Sequence, residues 1–480
     1  MSAITETQPK PATLNRTLGL FTAWTLVVTQ MVGSGVFKKV APMTERLGSP
    51  MLVMLAWILA GLITLAGALT NAEVAGLISG AGGQYTYFRR IYGRAFGFFF
   101  GWTSFTVIQS ATVAAVAYVF SMTVNMLYTL PRLPESVESI KFLIFTPFEN
   151  SGVKIVTITL IAVLSAVNYL GVKNGGLISK LIASATITGI ALIVLLGLSV
   201  GNGDLHNVTA TAGTFDTNKW AGFGIISLMI LAMRDAFWAY EGWNNLGYLG
   251  MEIKDPNKNI PRALVLGVGA VVLMYSSINF TYMYVLSADE LINVAHTPNS
   301  IAAITAVQKF MGSGGLLFVQ LLILVATFGS TNGAILTAAR LYYTMACDKL
   351  FFKKAECIHE KHQTPGNSLV MQGIWASVLV LSGSFDQLTD MLVFAAFLYY
   401  GAMALGVFIL RVRMPDVPRP VKAWGYPVVP ALFIVFCLVL VVISLIETPK
   451  ESLLGLCLIL SGLPFYLYWK KESEGVALDS

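Results

Sequence analysis

The sequence predicts an all-α membrane protein with about twelve transmembrane helices, of which the first and the sixth are discontinuous. Of its 480 residues, 56% are hydrophobic and only 12% are charged, about half the charged fraction of an average soluble domain. Mean hydropathy is +0.71, and apolar stretches of roughly 20 residues, the length that crosses the hydrocarbon core, recur along the chain. Two of these stretches are interrupted in the middle by glycine and polar residues.

The predicted spans are apolar segments whose ends are defined only to within several residues. They cover about 17–40, 49–78, 95–127, 153–172, 177–200, 221–247, 262–286, 315–346, 368–383, 388–411, 427–446 and 451–469. Residues 1–16 are polar and contain no apolar core, so we expect no cleavable signal peptide and a first span that acts as the insertion signal. A short surface helix is expected near residues 301–307, where apolar residues recur at helical spacing.

The order of the spans predicts an inverted repeat. Five is an odd number, so a five-helix unit repeated directly enters the membrane from opposite faces, and the two interrupted spans become the first members of the two units. The predicted organisation is a disordered cytoplasmic tail, a first repeat of helices 1–5, a second repeat of helices 6–10, helices 11–12 and a second cytoplasmic tail. These cover residues 1–16, 17–200, 220–411, 426–470 and 471–480.

Basic residues are distributed unevenly between the two sides. With the N-terminus placed in the cytoplasm, 21 of the 31 Lys and Arg fall on the cytoplasmic side, 9 fall on the outer side, and Arg234 lies within a span. Such a bias predicts that both termini of a multi-pass inner-membrane protein are cytoplasmic. It also accounts for the net charge of +6 without a nucleic-acid partner.

Residues that could form an enzyme or a metal site are sparse. The four histidines all fall in loops, and no nucleophile triad, zinc-binding helix or nucleotide-binding glycine loop is present in a suitable context. Cys347 and Cys357 lie in a predicted cytoplasmic loop, with a spacing that fits no standard zinc module. We therefore expect no catalytic site, no metal and no cofactor, and no disulfide on the outer side.

The two interruptions predict a binding site for a zwitterion. They lie in residues 29–37 (TQMVGSGVF) and 237–245 (FWAYEGWNN). A helix that begins at Gly33–Gly35 offers free N–H groups and a positive dipole end to a carboxylate, and the Ser34 hydroxyl adds a donor. We expect the opposite helix ends to leave five carbonyls unpaired for an ammonium group, those of Met31, Val32, Trp238, Ala239 and Glu241. Packing of small residues against a neighbouring helix is the alternative.

Charged and aromatic residues near these interruptions suggest further roles. Trp238 is a candidate gate that closes the outer path, and Tyr240 lies on the other side of the same break. Glu241 is ionisable in mid-span, so it is expected to face a substrate cation, to bind a proton, to hydrogen-bond the unwound backbone or to pair with Arg234. Arg234 and its neighbour Asp235 are expected at a solvated outer rim. Glu73 is expected to tether a cytoplasmic loop, with a proton relay as the alternative.

Several motifs together resemble a known family. Residues 32–37 (VGSGVF), 80–87 (GAGGQYTY), 252–261 (EIKDPNKNIP) and 419–427 (RPVKAWGYP) resemble signatures of the amino acid–polyamine–organocation superfamily, and specifically of its L-type amino acid transporters. The likeness extends over about residues 15–470. It implies a LeuT-type 5+5 inverted-repeat fold, alternating access, and transport of L-amino acids, commonly by sodium-independent exchange.

The resemblance also implies which residues bind the substrate. The carboxylate would meet Ser34 and Gly35, the amine would meet the carbonyls around Met31, Trp238 and Glu241, and Asn244 matches a polar position just after the second break. The predicted binding residues are Met31, Val32, Gly33, Ser34, Gly35, Trp238, Ala239, Tyr240, Glu241 and Asn244.

The sequence departs from the family pattern at three places. Glu241 stands where L-type relatives usually have a small residue. Many relatives have a lysine in the fifth span; Thr186 lies near that position here, and Lys180, the other candidate for coupling, comes about six residues earlier. Residues 128–152 contain no cysteine, so no disulfide-linked ancillary subunit is expected.

These observations predict a sodium-independent exchanger of neutral L-amino acids. A proton-coupled or cation-selective carrier, in which Glu241 supplies the charge, is the alternative, and a receptor or channel without turnover is a third class.

Overall fold

The described part of the protein is helical. The computed structural model describes residues 16–78, 82–142, 145–171, 175–200, 203–297, 300–359, 361–382 and 385–478. Within these ranges it contains helices and two isolated β-bridges but no strand, so the predicted all-α class is confirmed. The predicted N-terminal tail lies outside the described residues except for Arg16, as do residues 80–81 of the glycine motif. Residues 471–478, expected in a tail, continue the last helix.

The first ten helices include the first five predicted spans. They are α1 (Leu20–Met31), α2 (Gly35–Lys38), α3 (Val40–Leu47), α4 (Pro50–Leu77), α5 (Gln84–Tyr92), α6 (Arg94–Thr103), α7 (Gln109–Leu127), α8 (Glu135–Glu138), α9 (Ser151–Leu170) and α10 (Gly175–Ser199). A π-helical turn, Ser104–Ile108, joins α6 to α7, so the third span is continuous from Arg94 to Leu127.

The second ten helices include the remaining seven spans. They are α11 (Leu205–Thr209), α12 (Gly224–Ala239), α13 (Pro256–Val285), α14 (Ala288–His296), α15 (Ala302–Cys347), α16 (Gly366–Ser382), α17 (Phe385–Arg413), α18 (Val428–Glu447), α19 (Pro449–Leu460) and α20 (Gly462–Leu478). A 3-10 helix, Trp243–Leu249, follows α12 after a short turn.

Twelve predicted spans coincide with helices of the described structure. In the described ranges, nine helical segments are long and apolar enough to cross a membrane. The other three spans are shorter. The first and the sixth are interrupted, so that α1 has 12 residues and α12 has 16, and α16 has 17 residues.

Both predicted helix breaks are present. In the first break, Val32 leaves helical geometry with ψ 84°, while its N–H still bonds the Val28 carbonyl, and α2 begins at Gly35. In the second break, α12 ends at Ala239, and Gly242 adopts φ 100°, a backbone conformation that side chains other than glycine's rarely tolerate. The sequence therefore places a glycine where the second turn needs one.

The two breaks lie directly against each other. A Cβ added to Gly35 would lie 2.4 Å from the Ala239 Cβ, and one added to Gly242 would lie 2.9 Å from the Gln30 carbonyl oxygen. Both distances are too short for a side chain. The absence of side chains at these two positions therefore allows the broken helices to approach.

The predicted short helix near residues 301–307 is present as the first part of α15. Residues Ala302–Cys347 form α15, which consists of two helices joined at a kink at Gly312, where φ is 60°. Ile301, Ala303 and Val307 are fully buried, while Gln308 and Lys309 are exposed. The apolar face that the spacing predicts therefore packs against the protein, and the polar face does not.

The division into inverted repeats of residues 17–200 and 220–411 remains a prediction. The described helices agree with it in one respect: an interrupted helix comes first in each five-span unit.

The strained glycine in the second break yields a stability prediction. Gly242→Ala should lower the free energy of unfolding by about 1–3 kcal/mol, because alanine disfavours φ 100° and its Cβ would collide with the Gln30 carbonyl. Thermal unfolding in detergent, followed by tryptophan fluorescence, measures the effect. Gly269→Ala in α13 is the control, because its Cβ meets nothing within 4 Å and should leave stability equal or higher. Equal melting of both variants would contradict the assignment of strain.

Candidate functional site

A small cavity lies between the two helix breaks. It is lined by Gln30, Met31, Gly33, Ser34, Gly35, Thr112, Val116, Trp238, Glu241 and Ser330. In this closed form it has room for about one water molecule, so a larger ligand requires the covering segments to move apart. Six of the ten predicted binding residues line it, which places both breaks at one site.

A tyrosine from a third helix joins the two breaks. The Tyr275 hydroxyl of α13 lies 2.7 Å from the Met31 carbonyl oxygen and 3.0 Å from the Ala239 carbonyl oxygen. All three residues are buried. A hydroxyl in this position partners carbonyls that the ends of α1 and α12 leave without intrahelical donors. Tyr275 therefore fixes the separation of the two broken ends.

The expectation that the break carbonyls are unpaired is partly wrong. The Met31 carbonyl also accepts the Gly33 N–H at 2.9 Å, and the Trp238 carbonyl accepts the Glu241 N–H at 3.2 Å. Buried backbone groups need partners, and the turns themselves supply them. Each carbonyl has two acceptor positions, so Trp238 and Ala239 keep more capacity for an ammonium group than Met31 does.

The Ser34 side chain has the properties expected of a ligand donor. Ser34 is buried, it lines the cavity, and its hydroxyl has no hydrogen-bond partner among the described residues. A buried hydroxyl without a partner is energetically costly. Together with the flanking Gly33 and Gly35, it leaves a polar, sterically open surface at the start of α2.

Four predicted residues are buried beside the cavity without lining it. Val32 and Ala239 belong to the turns themselves, and Ala239 packs on Gly35. Tyr240 points away, and its hydroxyl donates to the Trp57 carbonyl at 3.2 Å. Asn244 accepts a hydrogen bond from Asn71 of α4 at 2.7 Å. These four residues support the site rather than face it in this conformation.

Glu241 lies at the cavity wall without a cationic partner in the described structure. Its carboxylate accepts the Tyr400 hydroxyl of α17, with distances of 2.7 Å and 2.9 Å to its two oxygens. The side chain is only 9% exposed. The proposed pairing with Arg234 is wrong, because that guanidinium bonds Asp390 at 2.8 Å and Thr448 at 2.7 Å.

Above Trp238, an aromatic layer and an ionic layer close the predicted outer side. Trp238 contacts the Phe385 ring edge-on, with centroids 5.8 Å apart, and the Lys38 ammonium lies 4.2 Å above that ring. The Lys39 ammonium bonds Asp235 at 3.1 Å and Asp386 at 2.9 Å. The layers join α2, α12 and α17 directly over the cavity.

The predicted solvated rim is instead a buried ionic cluster. Arg234 is 2% exposed and Asp235 is 4% exposed, because α17 and the end of α18 cover them. Lys39 is equally buried at 2%, while Asp386 keeps a 62% exposed side chain at the edge. The charges pair with one another, and Arg46 lies 3.5 Å from the second Asp235 carboxylate oxygen. The Arg234 Nε has no hydrogen-bond partner among the described residues.

The predicted inner side is closed by backbone pairing and by a carboxylate. Leu18, before α1, pairs with the segment after residues 243–249: its N–H donates to the Glu252 carbonyl at 2.9 Å, and its carbonyl accepts the Lys254 N–H at 2.8 Å. The second feature is Glu73, which accepts hydrogen bonds from Arg411, Arg419 and the Ala423 N–H. The geometry matches the loop tether expected for Glu73.

The coupling candidate Lys180 does not line the cavity, and neither does Thr186, which lies near the family's lysine position. Lys180 is half-buried, with its ammonium 6.0 Å from the exposed Phe21 ring. Thr186 is buried, and its hydroxyl has no partner among the described side chains and backbone.

Sequence reasoning missed six residues of the site. Tyr275 and Tyr400 hold the breaks and Glu241, while Gln30, Thr112, Val116 and Ser330 line the cavity. The only available signal was spacing, because Thr112 and Val116 are four residues apart and share one face of α7. Ser330 and both tyrosines sit in apolar helices that contain many similar residues.

Comparisons with known proteins agree with this architecture. The family model described as "Amino acid permease" matches residues 18–460. The serine/threonine exchanger SteT of Bacillus subtilis (strain 168) is 31% identical over 462 residues, which are 96% of this chain and 98% of that protein. The human b(0,+)-type amino acid transporter 1 is 30% identical over 99% of this chain and 92% of its own. The human large neutral amino acids transporter small subunit 2 is 28% identical over 96% and 82%, respectively.

The Tyr275 bridge predicts a specific loss of transport. Tyr275→Phe removes the one hydroxyl donor that the two buried carbonyls share. The Met31 carbonyl keeps the Gly33 N–H, and loss of the donor at the Ala239 carbonyl costs about 1–3 kcal/mol. We expect at least a tenfold fall in substrate uptake by proteoliposomes, while the purified variant remains folded. Tyr282→Phe is the matched control, because Tyr282 lies two turns along α13 and its buried hydroxyl has no partner in the described structure. Similar uptake by the two variants would contradict a bridging role.

Proposed function

Since the chain belongs to the amino acid permease family, we propose that it exchanges neutral L-amino acids across the membrane without sodium. The family and its relatives are transporters, not enzymes. The observation that carries the proposal is the meeting of two helix breaks at one buried cavity. The names of the serine/threonine exchanger and the large neutral amino acids transporter support both exchange and a neutral substrate.

In the proposed complex, the amino acid backbone binds between the breaks. Its carboxylate accepts hydrogen bonds from the Ser34 hydroxyl and from the N–H groups at Gly33–Gly35, where the start of α2 carries a positive dipole. Its ammonium donates to the carbonyls of the second break that retain acceptor capacity, at Trp238 and Ala239. The unpartnered, buried Ser34 hydroxyl supports this orientation.

Alternating access follows from the two closures. Opening the outer side requires Trp238 to leave Phe385 and the Lys39 group to separate from its carboxylates. Opening the inner side requires the segment around Leu18 to part from residues 252–254. We propose that one bundle rocks against the other so that these events exclude each other, with Trp238 as the outer gate and residues 17–200 and 220–411 as inverted repeats.

The proposed setting is a bacterial inner membrane with both termini in the cytoplasm. The excess of Lys and Arg on one side supports this orientation. We propose that the chain acts without a disulfide-linked ancillary subunit, since residues 128–152 contain no cysteine.

A second candidate is a carrier of cationic amino acids or a proton-coupled carrier. It is favoured by one observation: Glu241 lines the cavity, and no Lys or Arg of the described chain pairs with it. A substrate ammonium or guanidinium could supply the missing charge, and aromatic residues in the adjoining cavity would add cation–π attraction.

Counterflow tests the exchange proposal. Purified protein in liposomes should take up labelled serine or leucine in sodium-free buffer at least tenfold faster when the same amino acid is loaded inside, because the loaded carrier returns fastest. Protein-free liposomes are the blank, and Ser34→Val, which removes the proposed carboxylate donor, should lose most of the uptake. Uptake that needs no internal amino acid, or that requires sodium, would refute the exchange proposal.

Competition separates the two candidates. A neutral exchanger should be inhibited by unlabelled neutral amino acids at concentrations at least tenfold lower than by lysine or arginine. Under the second candidate, lysine competes as well as leucine, and Glu241→Gln weakens lysine competition at least tenfold while leaving leucine competition within threefold. A Glu241→Gln effect of equal size on both classes would contradict a role of this carboxylate in selecting charge.

A further inference from the structure

Lys38 is a cation of the outer closure that no carboxylate neutralises in the described structure. Its ammonium lies 4.2 Å from the centre of the Phe385 ring, and it forms no ion pair with any described residue. The neighbouring Lys39 bonds the nearby acids instead, Asp235 at 3.1 Å and Asp386 at 2.9 Å. A ring face attracts a cation less strongly than a carboxylate does, so Lys38 keeps the capacity to bind an anion.

The described outer closure carries one positive charge in excess. Its charged side chains are four cations and three carboxylates, namely Lys38, Lys39, Arg46, Arg234, Asp235, Asp386 and Asp390. Each of the three carboxylates already contacts a cation other than Lys38. Glu45 of α3 lies 2.8 Å from the His296 ring nitrogen instead. The excess charge therefore resides on Lys38.

Lys38 lies one helical turn beyond Ser34, the proposed donor to the substrate carboxylate. Ser34 and Lys39 both have helical backbone angles, so the chain is helical from residue 34 through α2. Residues four apart share one face of a helix, and the side chain of the later one leans back towards the earlier one. At a rise of about 1.5 Å per residue, the two positions are about 6 Å apart along the helix axis. A carboxylate on Lys38 would therefore need to move by only one turn to reach Ser34.

The same phenylalanine ring connects Lys38 to the candidate outer gate. Trp238 contacts Phe385 edge-on, with the ring centroids 5.8 Å apart, and Phe385 is buried. Lys38 is half-buried and lines no part of the cavity in this closed form. A substrate that arrives from the predicted outer side therefore meets Lys38 before it meets Ser34.

We propose that Lys38 is the outer docking residue for the substrate carboxylate, and that its excess charge disfavours amino acids with cationic side chains. The proposal rests on the proposed function, because it assumes that an amino acid enters with its carboxylate directed towards Ser34. It adds to that function a first contact on the outer side and a residue that determines selectivity.

Docking replaces one partner of Lys38 with another. In the outer-open form, the ammonium leaves the Phe385 ring and donates hydrogen bonds to the arriving carboxylate. The carboxylate then moves to the Ser34 hydroxyl, and Lys38 returns to the ring as Trp238 closes. Docking makes and breaks no covalent bond and carries no ion across the membrane, so it is compatible with one-for-one exchange.

The charge on Lys38 acts differently on neutral and cationic amino acids. A neutral amino acid presents its carboxylate to Lys38, and its ammonium group is balanced by that same carboxylate. Lysine or arginine brings a second positive charge, which the excess charge of the closure repels. Every carboxylate of the described closure already has a cationic partner, so none is left for the additional charge. Selection against cationic substrates thus begins at the outer closure.

Uptake kinetics from the outer side test the docking role. Right-side-out membrane vesicles that contain the protein and are loaded with unlabelled leucine are given labelled leucine outside. Lys38→Gln should raise the KM for external leucine at least fivefold and leave the maximal rate per protein within twofold, because docking precedes the transport step. Lys38→Arg keeps the charge and should restore KM to within twofold of the wild type.

A second lysine over a phenylalanine ring provides the matched control. The exposed Lys219 has its ammonium 5.4 Å from the centre of the Phe215 ring, and it takes no part in the ion pairs of the outer closure. Lys219→Gln should therefore leave the KM for external leucine unchanged. Equal KM values for Lys38→Gln and Lys219→Gln would overturn the docking role.

Competition tests the selectivity role in the same vesicles. In the wild type, arginine should inhibit leucine uptake only at concentrations at least tenfold higher than unlabelled leucine does. Lys38→Gln should narrow this ratio at least threefold, and Lys38→Glu should narrow it further, because the repulsion is first removed and then reversed. A ratio that stays unchanged in both variants would show that Lys38 does not select against cationic substrates.

A measurement on the wild-type protein keeps the test independent of variants that fail to fold. Salt screens charges that solvent reaches, so the KM for external leucine should rise at least threefold between about 20 mM and about 500 mM potassium chloride, with sucrose holding the osmolarity constant. A KM that does not change with salt would overturn docking on Lys38 and leave the exchange proposal intact. Failure of counterflow in the wild type would instead refute the exchange proposal itself.

Discussion

A helix that stops in the middle of a membrane must find partners for its exposed backbone groups without help from bulk water. In this protein the two broken helices meet that demand together. The Tyr275 hydroxyl reaches a carbonyl from each break, Gly35 lies against Ala239, and Gly242 lies against the Gln30 carbonyl. The need for such close approach explains the glycines, and the approach creates the cavity between the breaks.

The two sides of the site are closed by different kinds of interaction. The outer closure contains Lys39, Asp235 and Arg234, which are almost fully buried. Removing one partner from such a cluster leaves an uncompensated buried charge, which costs several kcal/mol, on the order of 3–5. The cluster is therefore stable only when whole or when every member is hydrated, and α2, α12 and α17 must separate together. The predicted inner closure combines backbone pairing at Leu18 with the Glu73 carboxylate, which Arg411 and Arg419 hold.

The sequence alone revealed the membrane spans and both breaks, because apolar length and misplaced glycines are local signals. It did not reveal Tyr275, Tyr400 or Ser330, because their roles depend on which distant helices pack together. Arg234 shows the same limit: its position suggested an exposed rim, while its partner Asp390 lies 156 residues away and buries it. The carbonyl at Met31 was expected to be free for a ligand, yet local turns and a tyrosine already occupy it.

The hydrogen-bond partner of Glu241 determines how far its charge is neutralised. An arginine or lysine beside the carboxylate would neutralise it permanently, as Arg411 and Arg419 do for Glu73. A tyrosine hydroxyl orients the carboxylate and stabilises it only in part, because a neutral donor adds no charge. The remaining charge must be balanced by something that arrives and leaves, which in a transporter means a proton or a cationic substrate. Under the second candidate function, the Glu241–Tyr400 pair leaves a carboxylate that a proton or a cationic substrate neutralises.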